Sequence, residues 1–166
     1  MQVFLIRHGI AIDEAPGLGD EERFLTPEGR KKTEHVGALL HRQIGRLDRV
    51  LTSPLVRAVQ TAEIVARQLE CQDVRVAMAL RPGAPMTRID AAIEEALDAE
   101  RLALVGHEPT MSAIAAHLLG LSSFPRAFKK AGVCAVTLEE PGAVGVFDWF
   151  IVPKGPKVES TLASDD

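Results

Sequence analysis

The first nine residues of the chain, MQVFLIRHG (residues 1–9), decide how the rest of the sequence is interpreted. Residues 3–6 are a continuous apolar run that stops at Arg-His-Gly, and such a run predicts a short buried strand. In an open α/β sheet, ligands bind just beyond the carboxyl ends of strands. Arg7 and His8 therefore stand where chemistry is expected, although a surface Arg-His pair closing a strand fits this tripeptide equally well.

Downstream of this strand, helical and strand-like patterns alternate along the chain. An amphipathic helix is predicted over residues 27–44, with Thr26 as its N-cap and Pro27 in its first position. Short β-prone runs follow at residues 49–52, 74–77 and 102–105, each succeeded by a helical pattern. The alternation predicts an α/β fold, a three-layer sandwich with a mainly parallel sheet flanked by helices.

The C-terminal part departs from this alternation. Alternating segments at residues 134–138 and 144–152 predict a C-terminal antiparallel hairpin at the end of the sheet. Residues 1–152 are expected to form one domain, because 166 residues suffice for one full core and not for two ordinary ones. The polar residues 153–166 are expected to form a tail that is poorly ordered unless it docks.

Composition excludes several classes of function. The formal net charge of −4 gives no reason to expect nucleic-acid binding, and no apolar run approaches the ~20 residues that span a bilayer. Cys71 and Cys134 are far apart and without metal-ligand spacing, so buried reduced thiols are expected rather than a disulfide. These features predict a cytoplasmic protein that binds neither nucleic acid nor membrane.

Further polar residues are expected near His8. The apolar run at residues 102–105 ends in Gly-His-Glu-Pro, which places His107 at the end of a second buried strand. Ser53 and Pro54 predict the cap and the start of a helix, with Arg57 in the first turn, where its charge opposes the helix dipole. A bound anion would turn that repulsion into attraction, although a chance surface arginine remains an alternative.

The convergence of these side chains would create a site for a phosphoryl group. Arg7, Arg23, Arg57 and His107 could surround His8 with hydrogen-bond donors, which suits a group whose transfer needs charge stabilisation and an in-line nucleophile. The pattern requires no metal and no cofactor, and neither a P-loop nor a Gly-x-Gly-x-x-Gly fingerprint occurs.

Three patterns in this order resemble a known family. They are Arg7-His8-Gly9, then Ser53-Pro54-x-x-Arg57-Ala58-x-Gln60-Thr61-Ala62, and then Gly106-His107-x-Pro109. The chain resembles the histidine phosphatase superfamily, also called the phosphoglycerate-mutase-like family, from residue 1 to about 152. Its short length and the pattern Arg23-x-Leu25-Thr26-x-x-Gly29 are most similar to the SixA type of phosphohistidine phosphatase.

This resemblance implies roles for the candidate residues. His8 would be the nucleophile that takes the phosphoryl group, and residues 1–152 would be a single catalytic domain. Arg7, Arg57 and Arg23 would bind the phosphoryl oxygens, and His107 would donate to them and stabilise the transition state. The substrate would be a phosphohistidine-containing protein, such as a phosphotransfer domain.

A general acid is missing from the pattern. Mutases of this family carry one on an inserted segment, which this sequence lacks; Asp13, Glu21 and Glu108 are the nearby acidic candidates, and a surface charge is the favoured reading of each. The absence favours a good leaving group such as imidazole. A phosphatase for small phosphate esters, such as sugar phosphates or nucleotides, remains the alternative, and a non-catalytic phosphate-binding module is disfavoured by the presence of both histidines.

Overall fold

A single mixed sheet carries the molecule, whose computed structural model describes residues 1–140 and 142–162. Within these residues the strands are β1 (Gln2–Arg7), β2 (Arg49–Thr52), β3 (Val74–Val76), β4 (Arg101–Gly106), β5 (Val133–Thr137), β6 (Val146–Val152) and β7 (Lys157–Glu159). The helices are α1 (Pro27–Ile44), α2 (Val56–Gln68), α3 (Met86–Glu94) and α4 (Thr110–Leu118). The strand order is β3-β2-β4-β1-β5-β6-β7; β1 to β4 run parallel, and β5 to β7 continue the sheet in antiparallel pairs.

Strand β1 shows why the sequence is continuously apolar there. Val3 and Leu5 pack in one core cluster with the residues of α3 and α4, whereas Phe4 and Ile6 pack in a second cluster with α1 and α2. All four side chains are buried, since helices cover both faces of the sheet. The predicted three-layer α/β sandwich is therefore confirmed.

The first helix follows its sequence signals. Thr26 caps α1 by accepting a hydrogen bond from the N–H of Gly29 over 2.9 Å, and the helix covers the predicted residues 27–44. A Cβ atom at Gly29 would lie 2.0 Å from the carbonyl oxygen of Ile10. Glycine is thus required where α1 packs directly against the backbone that leaves β1.

The start of α2 was predicted wrongly. The helix begins at Val56 with Leu55 as its N-cap, and not at Pro54 with Ser53 as the cap. The hydroxyl of Ser53 lies 2.7 Å from Nε2 of His107, closer than the 3.4 Å that separates it from the N–H of Leu55. Ser53 was predicted as the cap from its local sequence, but its side chain instead bonds to His107, which is distant in the chain.

The C-terminal region extends the sheet further than the sequence indicated. The predicted hairpin is present as β5 and β6, but β5 lies beside the central strand β1, and β7 from the expected tail forms the outer edge. Arg126 pairs with Glu159 of β7, and Val158 packs against the core cluster beneath α1 and α2. These contacts dock the chain beyond residue 152, while the last predicted tail residues, 163–166, lie outside the described residues.

Candidate active site

The carboxyl ends of two central strands bring the two predicted histidines together. Arg7 at the end of β1 pairs in register with Gly106 at the end of β4, so His8 and His107 leave the sheet side by side. Their ring centroids lie 5.0 Å apart, and the two residues are 3% and 4% exposed. The expected convergence of the two strand ends is therefore present in the structure.

His8 is held in the tautomer that a nucleophile requires. Its Nδ1 lies 2.7 Å from the carbonyl oxygen of Gly9, which can only accept, so the ring proton is on Nδ1. Nε2 keeps its lone pair, and the Nε–H of Arg57 donates to it over 3.3 Å. Burial, together with the positive charge of Lys130, lowers the pKa of His8 to about 3. The imidazole is therefore neutral at pH 7, with Nε2 as its unprotonated nitrogen.

His107 offers the same site a hydrogen-bond donor. Its Nε2 lies 2.7 Å from Ser53 Oγ, whereas Nδ1 is buried without a hydrogen-bond partner. Burial, with a contribution from the charge of Arg57, lowers the pKa of His107 to about 4, so this ring is also neutral at pH 7. When the hydroxyl of Ser53 donates to Nε2, the ring proton lies on Nδ1 and is free for a ligand.

Arg57 reaches His8 from the first turn of α2 and is itself almost completely buried. Its Nη1 donates to the backbone carbonyl of Asp20, and its Nη2 donates to Asp20 Oδ2 over 3.1 Å. Arg23 joins the same carboxylate, donating from Nη1 to Asp20 Oδ1 over 2.9 Å. The structure thus brings Arg57 and Arg23 together at the site, with Asp20 between them.

Arg7 and Lys130 complete a cluster of cations. Arg7 donates from Nη1 to a main-chain carbonyl, but its Nε is buried without a partner, and burial lowers the pKa of its guanidinium. Lys130 is followed by Ala131, whose N–H lies 3.1 Å from the carbonyl oxygens of both Arg7 and His8. Burial and the neighbouring arginines lower the pKa of Lys130 to about 8. The ammonium therefore lies in a field of like charges.

Other residues of the α2 pattern position the site. Thr61 donates from Oγ1 to the carbonyl of Arg57 over 2.7 Å and accepts from the N–H of Gly9 over 3.0 Å. Gln60 accepts from the N–H of Leu25 over 2.8 Å. These bonds join α2 to the loop after β1 and to the segment that carries Arg23.

The three acidic residues that were candidates for a general acid are exposed or bonded to other residues. Asp13 is exposed, and Glu21 pairs with Arg81 at the surface. Glu108 accepts from the N–H and the hydroxyl of Ser112, over 3.2 and 2.7 Å, and so caps the start of α4. None of the three side chains is directed at Nε2 of His8 by these contacts.

Sequence reasoning missed Asp20 and Lys130. Asp20 lies in an acidic loop without helical or strand periodicity, and Lys130 follows another lysine, a pattern typical of a solvated surface. The one available signal for Asp20 was its spacing from Arg23, because a 3₁₀ turn places side chains at i and i+3 on the same side. Lys130 is placed by the pairing of β5 with β1, which no local pattern reveals.

Neither a metal centre nor a membrane-spanning helix is found in the part of the chain that the structure describes. No group of three or more His, Cys, Asp and Glu side chains there could hold a metal ion, and none of the helices has the length and apolarity to cross a bilayer. Cys71 and Cys134 are both buried and unpaired.

The sequence matches a family model. Residues 3–83 match the model of the histidine phosphatase superfamily (branch 1). The chain is 31% identical to the phosphohistidine phosphatase SixA of Escherichia coli over 166 residues, covering 98% of this chain and 100% of that protein. It is also 36% identical to an uncharacterised protein of Picosynechococcus sp., covering 80% of this chain and 82% of the relative.

Solved structures give the same relationship. The structure of the protein histidine phosphatase SixA complexed with tungstate aligns with a TM-score of 0.84 at 30% sequence identity. The alignment covers 93% of this chain and 99% of that chain. The likeness therefore extends over nearly the whole of both chains.

Proposed function

This chain belongs to the histidine phosphatase superfamily, in its SixA type, and we propose that it removes phosphoryl groups from phosphohistidine in proteins through a covalent intermediate on His8. The E. coli relative is a phosphohistidine phosphatase by name and is similar over its full length. The SixA structure holds tungstate, an oxyanion of the kind that the cation cluster would bind here. Both observations support a phosphatase.

The observation that carries the proposal is the pair of buried polar atoms without partners near the unprotonated Nε2 of His8. Among the described residues, the buried side-chain nitrogens or oxygens without a hydrogen bond are Arg7 Nε and His107 Nδ1. Buried polar atoms are nearly always paired in proteins, so two such donors in one site indicate a ligand that accepts from both. A phosphoryl group bound next to Nε2 of His8 supplies those acceptors.

The chemistry would proceed in two steps. Nε2 of His8 attacks the phosphorus and the bond from phosphorus to the substrate's imidazole nitrogen breaks; with a proton on its other ring nitrogen, the substrate leaves as a neutral imidazole. A water molecule then attacks the phosphorus, the bond to Nε2 breaks, and the phosphoryl group leaves as dihydrogen phosphate with His8 neutral again. Arg57 Nε–H, Arg7 Nε–H and His107 Nδ1–H would stabilise the charge that develops on the phosphoryl oxygens.

The choice of phosphohistidine depends on the leaving group. Asp13, Glu21 and Glu108 are exposed or bound elsewhere, so none is positioned to protonate a departing alkoxide. A general acid typically contributes about 10²–10⁴-fold, which an aliphatic phosphate ester would lack here. Imidazole, with a pKa of about 6.5, leaves without that help.

Small phosphate esters remain the second candidate, since the loop that carries Asp20 is bonded to Arg57 beside His8. The test is kcat/KM at fixed pH for phosphohistidine protein, phosphoramidate, aryl phosphates and sugar phosphates. We expect the rate to fall steeply as the pKa of the leaving group rises. Sugar phosphates turned over as fast as phosphohistidine would contradict the proposal and reveal a proton donor.

The same assay also tests whether activity needs a metal ion. Activity should survive EDTA, because the proposed steps use only histidines and cations of the chain; loss on chelation and recovery with a divalent ion would contradict this. Tungstate binding without turnover of any substrate would instead identify a binding module. We also propose a cytoplasmic location, which the two unpaired buried thiols support.

A further inference from the structure

Asp20 places a carboxylate among the cations of a site that is built for an anion. By charge alone this is unfavourable, since the carboxylate repels a phosphoryl group and competes with it for donors. We propose that Asp20 is a positioning residue, which bridges Arg57 and Arg23 and thereby holds the Nε edge of Arg57 against His8. The role in turnover rests on the proposed function, whereas the role in oxyanion binding does not.

The division of donors on Arg57 supports this role. Both terminal nitrogens of the guanidinium donate to Asp20, one to its main-chain oxygen and one to Oδ2. The third nitrogen, Nε, donates to Nε2 of His8. Because the guanidinium is planar, fixing its two outer nitrogens also fixes the direction of Nε–H. Asp20 therefore occupies the outer edge of Arg57 and leaves the inner edge for the reacting group.

The second oxygen of the carboxylate performs a similar task for Arg23. Oδ1 of Asp20 accepts from Nη1 of Arg23 over 2.9 Å, and the Nε of Arg23 donates to the carbonyl of Ile12 over 2.8 Å. One carboxylate thus holds two guanidinium groups that would otherwise repel each other. Without it, the buried Arg57 would lose its paired carboxylate, and a buried unpaired charge is costly.

The local backbone holds Asp20 in place. It begins a 3₁₀ turn, Asp20–Glu22, which is closed by a hydrogen bond from the N–H of Gly19 to Glu22 Oε2 over 3.0 Å. Arg23 follows this turn directly, so the carboxylate and one of its two arginines belong to the same short segment. The other arginine comes from α2, and Asp20 therefore connects the loop after β1 to that helix.

Two other roles for Asp20 predict different behaviour. As a general acid it would need a proton, but its pKa is lowered: partial burial alone would raise it, and the hydrogen bonds from Arg57 and Arg23 outweigh that effect. If Asp20 only competed with the ligand as an anion, its carboxylate would weaken ligand binding, and replacing Asp20 would strengthen that binding. The positioning role predicts the opposite sign, namely weaker oxyanion binding after the negative charge is removed.

The experiment compares Asp20→Ala and the isosteric Asp20→Asn with the wild type. Tungstate affinity is measured by calorimetry, and kcat and KM are measured for phosphoramidate and for an aryl phosphate. Asp13→Asn is the matched control, because it removes the same charge from the same loop at a position that is paired with neither Arg23 nor Arg57. Far-UV circular dichroism and thermal melting of the ligand-free proteins report folding, and Asp20→Asn decides if Asp20→Ala does not fold.

We expect both Asp20 variants to bind tungstate about 10-fold more weakly or worse, as displaced site residues commonly cause, and Asp13→Asn to bind it like the wild type. Turnover should fall by the same factor for both substrates. Unchanged or tighter tungstate binding would overturn the proposal, and a larger loss for the poorer leaving group would identify Asp20 as an acid instead. A wild type that binds tungstate but hydrolyses no phosphoryl compound would refute the proposed function. The tungstate affinities of the Asp20 variants would still decide the role of Asp20.

Discussion

Two buried arginines that are close in the chain, Arg49 and Arg57, are held in different ways. Arg49 begins β2 and donates from Nη1 and Nη2 to the two oxygens of Asp98, over 2.8 and 2.9 Å. Its Nε donates to Asp73 over 2.7 Å. The hydrogen bonds that Arg49 donates to these carboxylates raise its pKa. This guanidinium is fully paired and joins β2 to the segments before β3 and β4.

Arg57 belongs to a cluster of cations that outnumber the carboxylates bonded to them. Within the described residues, Asp20 is the carboxylate that accepts hydrogen bonds from this cluster of cations, which comprises Arg7, Arg23, Arg57 and Lys130. The pKa values of Arg7 and Lys130 are lowered, the reverse of the shift at Arg49. A buried arginine that is paired with carboxylates therefore stabilises the fold, whereas buried cations without paired carboxylates indicate a site for an anion.

The largest effect is expected at His8, the proposed nucleophile beside these unmatched cations. His8→Ala should reduce kcat/KM by more than about 10³-fold, because removal of a nucleophile abolishes the covalent step. His117→Ala is the control, since that side chain is half exposed and bonds to Asp90. The check is steady-state turnover of phosphoramidate; a His8 variant with even a tenth of wild-type activity would exclude His8 as the nucleophile.

The comparison itself is tested by exchanging each arginine for alanine. Arg57→Ala should reduce kcat/KM by about 10²-fold or more, since it removes a donor to the transition state. Arg49→Ala should keep kcat and lose about 1–3 kcal/mol of unfolding free energy with its charged hydrogen bonds. The measurements are steady-state kinetics and denaturant unfolding of both variants. Equal losses of kcat/KM and of unfolding free energy in the two variants would contradict the distinction between a site arginine and a structural one.

Ligand binding sharpens the same distinction. At a tungstate concentration of 100 Kd, the folded protein should gain about 2.7 kcal/mol, which is visible as a higher melting temperature. Arg57→Ala should lose most of this gain, whereas Arg49→Ala should retain it even though it melts lower without ligand. Melting curves with and without tungstate provide the measurement; a wild type without any shift would count against the cluster as an anion site.

The smallest effect concerns Lys130, whose lowered pKa of about 8 makes its charge sensitive to pH. The ammonium is protonated below that value and neutral above it, so tungstate affinity should fall as pH rises through 8. His8 and His107, with pKa values of about 3 and 4, stay neutral throughout this range. We expect a decrease of about fivefold, which corresponds to about 1 kcal/mol for one lost cation near the anion.

Calorimetry of tungstate binding between pH 7 and pH 9.5 measures this dependence on the wild type and on Lys130→Gln. The variant should show weaker affinity at pH 7 and little further change. Lys129→Gln is the control because its side chain is exposed. A pH dependence that survives in Lys130→Gln would assign the titration to another group.

The sequence predicted those parts of the site that local patterns control. His8 and His107 were found because apolar runs end at them, and α1 was found because Thr26 and Pro27 are strong local signals. The cap at Ser53 was predicted wrongly, and β7, Asp20 and Lys130 were missed. Each of these is determined by a contact with a residue distant in sequence: Ser53 with His107, β7 with β6, Asp20 with Arg57, and Lys130 through the pairing of β5 with β1.

The central claim is that the unmatched cations hold a phosphoryl group for transfer to Nε2 of His8. The most direct measurement is rapid quenching of the enzyme with radiolabelled phosphoramidate, followed by mass spectrometry of the labelled peptide. We expect a phosphoryl adduct on His8 that is stable in base and lost in acid, and that His8→Ala does not form. An adduct on another residue, or turnover through a His8→Ala enzyme that forms no adduct, would contradict it.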